Sequence, residues 1–234
     1  MFRLRVGSHL SSANVVKTAA TANYSVGEEI ANAVTHGVAA LLSIAGLAVL
    51  VAFAVVYSGS AKVVAAVSVF GASMIFLYTA STLYHAIPNP RAKKVLQVLD
   101  HSMIYVLIAG SYTRFCLITL KGATGIALCV VVWLLAIIGI SLQGVLLKKS
   151  DWINCLLYLT MGWLVVFVIE PVTENLQTTG LWLLVAGGLA YSLGVIFYIW
   201  EKLPYGHAIW HAFVFAGTAL QFFSVLLYVI PGVL

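Results

Sequence analysis

The stretch GATGIALCVVVWLLAIIGISLQGVLL, Gly122 to Leu147, decides the fold because it contains no charged residue. A transmembrane helix needs roughly 20 consecutive apolar residues, whereas a membrane-spanning β-strand needs only about nine to eleven. This stretch is far longer than a barrel strand and shows no alternation of polar and apolar residues. It therefore predicts a helix that crosses a membrane.

The composition of the whole chain supports a membrane protein. Of its 234 residues, 62% are apolar and only 8% are charged, where a soluble domain carries about 25% charged residues. These values exclude a soluble globular protein and a disordered chain, and three cysteines are too few for a disulfide scaffold. The net charge of +5 does not indicate nucleic-acid binding, because basic residues mark the cytoplasmic loops of membrane proteins. Membrane lipids are the expected partners.

Six further apolar stretches accompany the first one, so the chain is predicted to be an all-α bundle of seven transmembrane helices. We expect a tail over residues 1–27 and a single membrane domain over residues 28–234. The predicted spans are Glu29–Tyr57, Lys62–Tyr84, Leu96–Leu120, Gly122–Leu147, Trp152–Ile169, Gly180–Trp200 and His207–Ile230.

Basic residues in the tail and loops predict the orientation of these spans. Nine of them fall on one side of the membrane and only Lys62 and Lys121 on the other, while Arg114 lies within the third span. Because cytoplasmic loops are enriched in lysine and arginine, the N-terminus is expected in the cytoplasm and the C-terminus outside. The nine are Arg3, Arg5, Lys17, Arg91, Lys93, Lys94, Lys148, Lys149 and Lys202.

A small set of polar residues lies within or at the ends of the spans. Ionisable groups in a bilayer are costly unless they are paired, hydrated or bound to metal, so each is a candidate for function. With the predicted orientation, all of these residues fall on the cytoplasmic side of the bundle. They are Glu29, His36, Ser81, His85, Asp100, His207 and His211.

The histidines have a spacing that suits a metal ion. His207 and His211 are four residues apart, so on a helix they project from one face, separated by about 40° and roughly 6 Å. His85 reaches the same side from another helix. Three neutral imidazoles and a water molecule form the open tetrahedral site of catalytic zinc, and no thiolate lies nearby to favour another metal. Two histidines at this spacing also occur in helices that bind no metal.

Asp100 and Ser81 are the candidate catalytic partners of this zinc site. Asp100 could orient a histidine ligand or act as a base, and Ser81, one turn from His85, could donate a hydrogen bond to a developing oxyanion. Alternatively, Asp100 could be a charge that the helix dipole favours or a partner for Lys94. Ser81 could instead donate a hydrogen bond to its own helix.

Glu29 and His36 are auxiliary polar candidates. They lie seven residues apart and so return to nearly the same helix face, where one could polarise the other. Arg114 is about 21 Å along its helix from Asp100. We expect its long side chain to reach the outer membrane surface and to take no part in the site.

The chain resembles the hemolysin III family, the bacterial branch of the progestin and adiponectin receptor family. The resemblance covers about Tyr24 to Ile230. It is carried by EEIANAVTHG at Glu28–Gly37, STLYHAIPNPRAKKVLQVLDHSMIYVLIAGSYT at Ser81–Thr113, YSLGVIFY at Tyr191–Tyr198 and PYGHAIWHAF at Pro204–Phe213.

The resemblance implies a seven-helix membrane protein, in bacteria a protein of the cytoplasmic membrane, with a zinc site facing the cytoplasm. The positions that match the zinc ligands are His85, His207 and His211, and Asp100 and Ser81 match the accompanying polar residues. The family is similar to alkaline ceramidases in this arrangement, which implies metal-dependent hydrolysis of lipid amides. Arg114 departs from the pattern, because the family usually has a proline there, and we expect a less kinked helix near the outer surface.

Two classes of function follow. The first is a zinc-dependent hydrolase of lipid amides, in which Asp100 and Ser81 assist the reaction. The second is a non-catalytic membrane protein, either a cytolytic pore or a sensor in which zinc clamps the helices. No polar stripe runs the length of any predicted span, which disfavours a simple pore. We also expect no hormone-like protein ligand, because the sequence shows no extracellular domain to bind one.

Overall fold

The computed structural model describes residues 24–120, 122–146, 151–200 and 202–233. Within them every regular element is helical and no strand occurs. Residues 1–23, most of the predicted tail, lie outside this part of the chain, as do six of the basic residues used to predict the orientation. The α-helices are α1 (Val26–Phe53), α2 (Ala61–Ala86), α3 (Pro90–Arg114), α4 (Gly122–Leu146), α5 (Asp151–Gly162), α6 (Ile169–Asn175), α7 (Thr178–Ile199) and α8 (Gly206–Ser224).

Seven helical segments of the described chain are long and apolar enough to cross a membrane, which confirms the predicted all-α fold. Six spans contain one α-helix each, and the fifth joins α5 to α6 through a 3₁₀ segment at Trp163–Val168. Large apolar side chains such as Phe167 and Leu41 point away from the bundle. In a membrane protein these side chains face lipid, because lipid tails are as apolar as they are.

The ends of two spans differ from the sequence prediction. The third begins at Pro90 and not at Leu96, because the Asn89 side chain accepts hydrogen bonds from the backbone N–H groups of Arg91 and Ala92 and caps a polar first turn. The fifth continues beyond Ile169 to Asn175. Hydropathy marks only the apolar part of a helix, so it did not indicate either of these polar extensions.

The bundle packs so that the seventh span lies beside the first. Helix α8 contacts both α7 and α1, and α2 packs between α1 and α3. The starts of α1, α3 and α8 and the end of α2 therefore gather at one end of the bundle. At the opposite end, α1, α3 and α8 each pass into a short π-helical segment: Ala54–Ser58, Phe115–Thr119 and Val225–Val229.

Arg114 is fully buried, so the expectation that its side chain reaches the membrane surface was wrong. Its Nη2 donates a hydrogen bond of 2.8 Å to Oε1 of Gln221, and its guanidinium carbon lies 3.7 Å from the ring centroid of Phe70 and 4.7 Å from that of Phe115. The side chain turns into the bundle, where Gln221 of α8 offers a hydrogen bond and Phe70 of α2 and the neighbouring Phe115 offer aromatic faces.

Candidate metal centre

His85, His207 and His211 lie together inside the bundle. His85 is in the last turn of α2, while His207 and His211 are in the first two turns of α8, and all three are buried. One potential ligand atom from each lies within 4.8 Å of the other two. The spacing of four residues thus brings two imidazoles to one face of α8, and the end of α2 adds the third.

The two nitrogens of each imidazole have different surroundings. The Nδ1 atoms face hydrogen-bonding groups: Oε2 of Glu29 at 2.6 Å from His85, the hydroxyl of Tyr24 at 2.9 Å from His207, and the backbone oxygen of Asn32 at 3.3 Å from His211. The three Nε2 atoms are buried and have no hydrogen-bond partner among the described residues. Leaving buried polar atoms unsatisfied costs free energy. Three such atoms on converging imidazoles fit a zinc ion, for which imidazole is a favoured ligand.

A tight turn between α7 and α8 sets the start of the histidine-bearing helix. Tyr205 adopts a left-handed backbone conformation with φ of 57°, and its backbone N–H donates a 3.1 Å hydrogen bond to Oε1 of Glu28 at the start of α1. A Cβ atom on Gly206 would lie 3.0 Å from the backbone oxygen of Phe197. The glycine therefore lets the turn close against α7, directly before His207.

Asp100 and Ser81 are both buried at this end of the bundle. Ser81 lies beside Asp100, and the Asp100 carboxylate is close enough to His85 for their charges to interact. Oδ2 of Asp100 is 3.9 Å from Nδ1 of His101. The Ser81 hydroxyl makes no well-formed hydrogen bond among the described residues, so the hydrogen bond to its own helix, weighed as an alternative, is not present.

Glu29 and His36 contact different histidines of the cluster. Glu29 pairs with His85 and, through its other carboxylate oxygen, with Lys93 of α3. His36 stacks on His211 with ring centroids 3.5 Å apart, and neither of its ring nitrogens has a hydrogen-bond partner among the described residues. Glu29 therefore meets the cluster at His85 and His36 meets it at His211, so neither reaches the cluster through the other.

Sequence reasoning missed three polar residues that contact the cluster. Tyr24 and Asn32 contact it as described above, and the hydroxyl of Thr35 lies 3.3 Å from Nδ1 of His211. A signal for Asn32 was present, because Glu29, Asn32 and His36 recur at the spacing of one helix face. Tyr24 precedes α1, so no helical periodicity could indicate it.

A cavity of about 180 Å³ adjoins the site and is lined mostly by apolar side chains. His36 and Asp100 line one end of it, and Phe115 and Gln221 line the other. At 1.5 Å per residue, Asp100 and Phe115 are about 22 Å apart along α3 and its continuation. The cavity therefore extends from His36 and Asp100, which border the histidine cluster, through much of the membrane thickness.

The fold and this buried cluster define a multi-pass integral membrane protein with a polar site at one end of an apolar bundle. Comparison with known sequences agrees. The chain belongs to the Haemolysin-III related family, whose family model matches residues 24–222.

Several known proteins are similar in sequence to this chain. It is 50% identical over 206 residues to Hemolysin-3 of Bacillus cereus, covering 88% of this chain and 94% of the relative. Its identity to the Hemolysin-3 homolog of Bacillus subtilis (strain 168) is 48% over 205 residues, covering 88% and 96%. The human monocyte to macrophage differentiation factor is 29% identical over 166 residues, 68% of each chain. No solved structure matches with significance.

Proposed function

We propose that this chain is a zinc-dependent hydrolase of lipid amides, with zinc held by His85, His207 and His211 at the cytoplasmic side of a bacterial cytoplasmic membrane. The observation that carries the proposal is the set of three buried Nε2 atoms without partners, on a cluster whose neighbours His36 and Asp100 line one end of an apolar cavity. When bound, zinc acts as a Lewis acid and lowers the pKa of a coordinated water to about 7.

Asp100 is the residue best placed to move a proton in this reaction. It is the carboxylate that lines the cavity next to the cluster, and its burial keeps bulk water from competing for the proton. In amide hydrolysis a proton must leave the attacking water and a proton must reach the departing nitrogen. The Asp100 carboxylate would accept the first at an Oδ atom and deliver it to the nitrogen.

Ser81 complements Asp100 as a donor. Its hydroxyl is buried beside the Asp100 carboxylate and makes no well-formed hydrogen bond among the described residues, so it can donate a hydrogen bond to the substrate carbonyl oxygen as negative charge develops there. Because the hydroxyl provides one hydrogen bond and transfers no proton, its share of the rate enhancement is expected to be smaller.

The cavity supports a lipid as the substrate class. Its apolar lining suits a hydrocarbon chain, and its length from Asp100 to Phe115 would let the chain lie along α3 while the amide stays at the histidine end. Helix α5 and the 3₁₀ segment after it supply part of the lining, and their outer faces carry exposed apolar residues. A lipid could thus enter sideways from the bilayer.

A non-catalytic role is the second candidate, and one observation favours it. His85 belongs to α2 and the other two histidines to α8, so a zinc ion bound by all three would clamp the second span to the seventh. A sensor or receptor could use such a clamp. The names of the two Bacillus relatives point instead to a hemolysin, but the mostly apolar lining of the cavity does not resemble a water-filled pore.

The deciding experiment measures zinc content and lipid amide hydrolysis on the same purified protein in lipid nanodiscs. We expect one zinc ion per chain and turnover of a ceramide-like amide that a chelator abolishes. Asp100→Asn should keep zinc yet lower turnover about 10²–10⁴-fold, and Ser81→Ala should lower it less.

Matched controls separate these effects from general damage. Glu174→Gln makes the same kind of change at an exposed carboxylate of α6, and Ser141→Ala removes an exposed hydroxyl that bonds to its own helix. Both should turn over substrate like the original chain. Full zinc occupancy without hydrolysis of any amide lipid would exclude the hydrolase and leave the clamp. Stoichiometric zinc in a chain lacking all three histidines would exclude the metal site.

A further inference from the structure

The hydrogen-bonding groups around the three histidines come from one short segment of chain. Tyr24, Glu29, Asn32 and Thr35 provide the hydrogen-bonding groups described above for the Nδ1 atoms of His85, His207 and His211. The histidines themselves belong to α2 and α8. A third element, α1 with the residue just before its cap, therefore surrounds a cluster to which it contributes no histidine.

Glu29 makes the strongest of these contacts because it is charged. Its Oε2 lies 2.6 Å from Nδ1 of His85, and its Oε1 pairs with the ammonium of Lys93. That ammonium also lies 5.1 Å from the ring centroid of Tyr84. The carboxylate is thus held from two sides and cannot turn away from His85 without breaking an ion pair. Hydrogen bonds to ionised groups are about twice as strong as neutral ones.

This contact selects one tautomer of His85. A carboxylate only accepts hydrogen bonds, so the proton of the neutral imidazole must lie on Nδ1. The lone pair then lies on Nε2, the atom that has no partner. The same assignment holds for His211, whose Nδ1 faces the backbone oxygen of Asn32. Histidine ligands of metals are commonly oriented in this way by a carboxylate or a carbonyl group.

We propose that the first turns of α1 orient the three histidines for metal binding, with Glu29 as the principal positioning residue. This inference rests on the metal site of the proposed function but not on any catalytic activity. It assigns Glu29 a role towards His85 and Lys93 in place of a relay with His36. It also makes metal affinity depend on the packing of the first span against the second and the seventh.

The test compares Glu29→Gln with Glu174→Gln in the full-length protein. The two substitutions are chemically identical, but Glu174 is an exposed residue of α6, near the opposite end of the bundle from the histidines. Zinc affinity is measured by competition with a chromogenic chelator, and ligand geometry by the visible absorption of Co²⁺ bound in place of zinc. Thermal unfolding of the metal-free proteins monitors the fold.

We expect Glu29→Gln to weaken zinc binding about 10-fold or more and to alter the Co²⁺ spectrum, while Glu174→Gln changes the affinity by less than about threefold. Glu29→Ala removes the acceptor entirely and should weaken binding further, up to about 100-fold. The metal-free Glu29→Gln protein should remain folded, because the amide has the same shape as the carboxylate and the ion pair that is lost with Lys93 lies at the partly exposed edge of the site.

Each possible result bears on a different claim. Equal zinc affinity for Glu29→Gln and the original chain would overturn the role of α1 while leaving the metal site intact. A purified original chain that binds no zinc would overturn both. A loss of affinity in Glu29→Gln, together with absence of lipid hydrolysis by the original chain, would support the role of α1 and exclude only the hydrolase.

Discussion

Individual residues show how far a sequence can specify this site. His85, His207 and His211 were predicted at a common depth from helix spacing and span direction, and the structure brings them together. The contacts of Tyr24 could not be predicted in the same way, and for Asn32 the sequence indicates only a shared helix face with Glu29 and His36, not which histidine it meets. These contacts depend on how α1 is rotated against α2 and α8, which hydropathy does not determine in a span that is apolar on most of its surface.

Arg114 is the residue for which the physical expectation failed, and it offers a test of stability. Arg114→Ala removes a large buried side chain and leaves Oε1 of Gln221 without its donor, so we expect a loss of about 2–4 kcal/mol in the free energy of unfolding. Arg114→Met fills most of the same space without a buried charge. It still leaves Oε1 of Gln221 without its donor but opens no large cavity, so this variant should lose less than Arg114→Ala, about 1–2 kcal/mol.

Unfolding titrations in mixed micelles would compare the two Arg114 variants, with zinc content as a second measurement. Zinc content should be unchanged in both, because the guanidinium lies at the opposite end of the cavity from the histidines. If Arg114→Met proved as destabilising as Arg114→Ala, the charge and its hydrogen bond would contribute to stability and the packing argument would be wrong.

The helices were predicted correctly where long apolar stretches indicate them. The prediction of their ends failed where polar residues begin or extend a helix. All seven spans follow from long apolar stretches. The extra turn before Leu96 depends on Asn89 and Pro90, a capping pair that a hydropathy average treats as loop. The extension from Ile169 to Asn175 contains Glu170 and Pro171. Judged by hydropathy alone, these two residues end the span, although the helix continues.

The crossing of α7 and α8 depends on glycines at the contact. A Cβ atom on Gly187 would lie 3.0 Å from the backbone oxygen of Gly217 and 2.9 Å from Cγ of Gln221, whereas one on Gly144 of α4 would meet nothing within 4 Å. Small residues allow helices in membranes to approach closely. We therefore expect Gly187→Ala to lower the free energy of unfolding by about 1–3 kcal/mol, since a backbone oxygen cannot move aside.

Gly144→Ala is the matched control for this crossing. It should leave stability unchanged or raise it by up to about 1 kcal/mol, because alanine favours a helix more than glycine does. Unfolding in the same micelles measures both variants. Equal stability of the two would mean that α7 and α8 can separate at little cost, contrary to their close contact.

At the scale of the whole molecule, polarity is concentrated at one end of an otherwise apolar bundle. The histidine cluster, Asp100 and Glu29 lie where α1, α3 and α8 begin, and the apolar cavity leads away from them towards the ends of α3 and α8. A lipid amide has the same division into a polar group and a long apolar chain. Its headgroup would meet the cluster only if that end of the bundle lies at the headgroup depth of one leaflet.

The orientation of the bundle in the membrane determines which leaflet this is. That orientation is predicted from the nine-to-two excess of basic residues on the side of the N-terminus. Reporter fusions after Gly59, after Asn89 and after Leu234 would test it. Alkaline phosphatase, which is active only outside the cytoplasm, should be active after Gly59 and Leu234. Green fluorescent protein should fluoresce only after Asn89, because two spans return the chain to the cytoplasm. The reverse pattern would place the histidine cluster at the outer leaflet, and a substrate lipid would then have to be sought there.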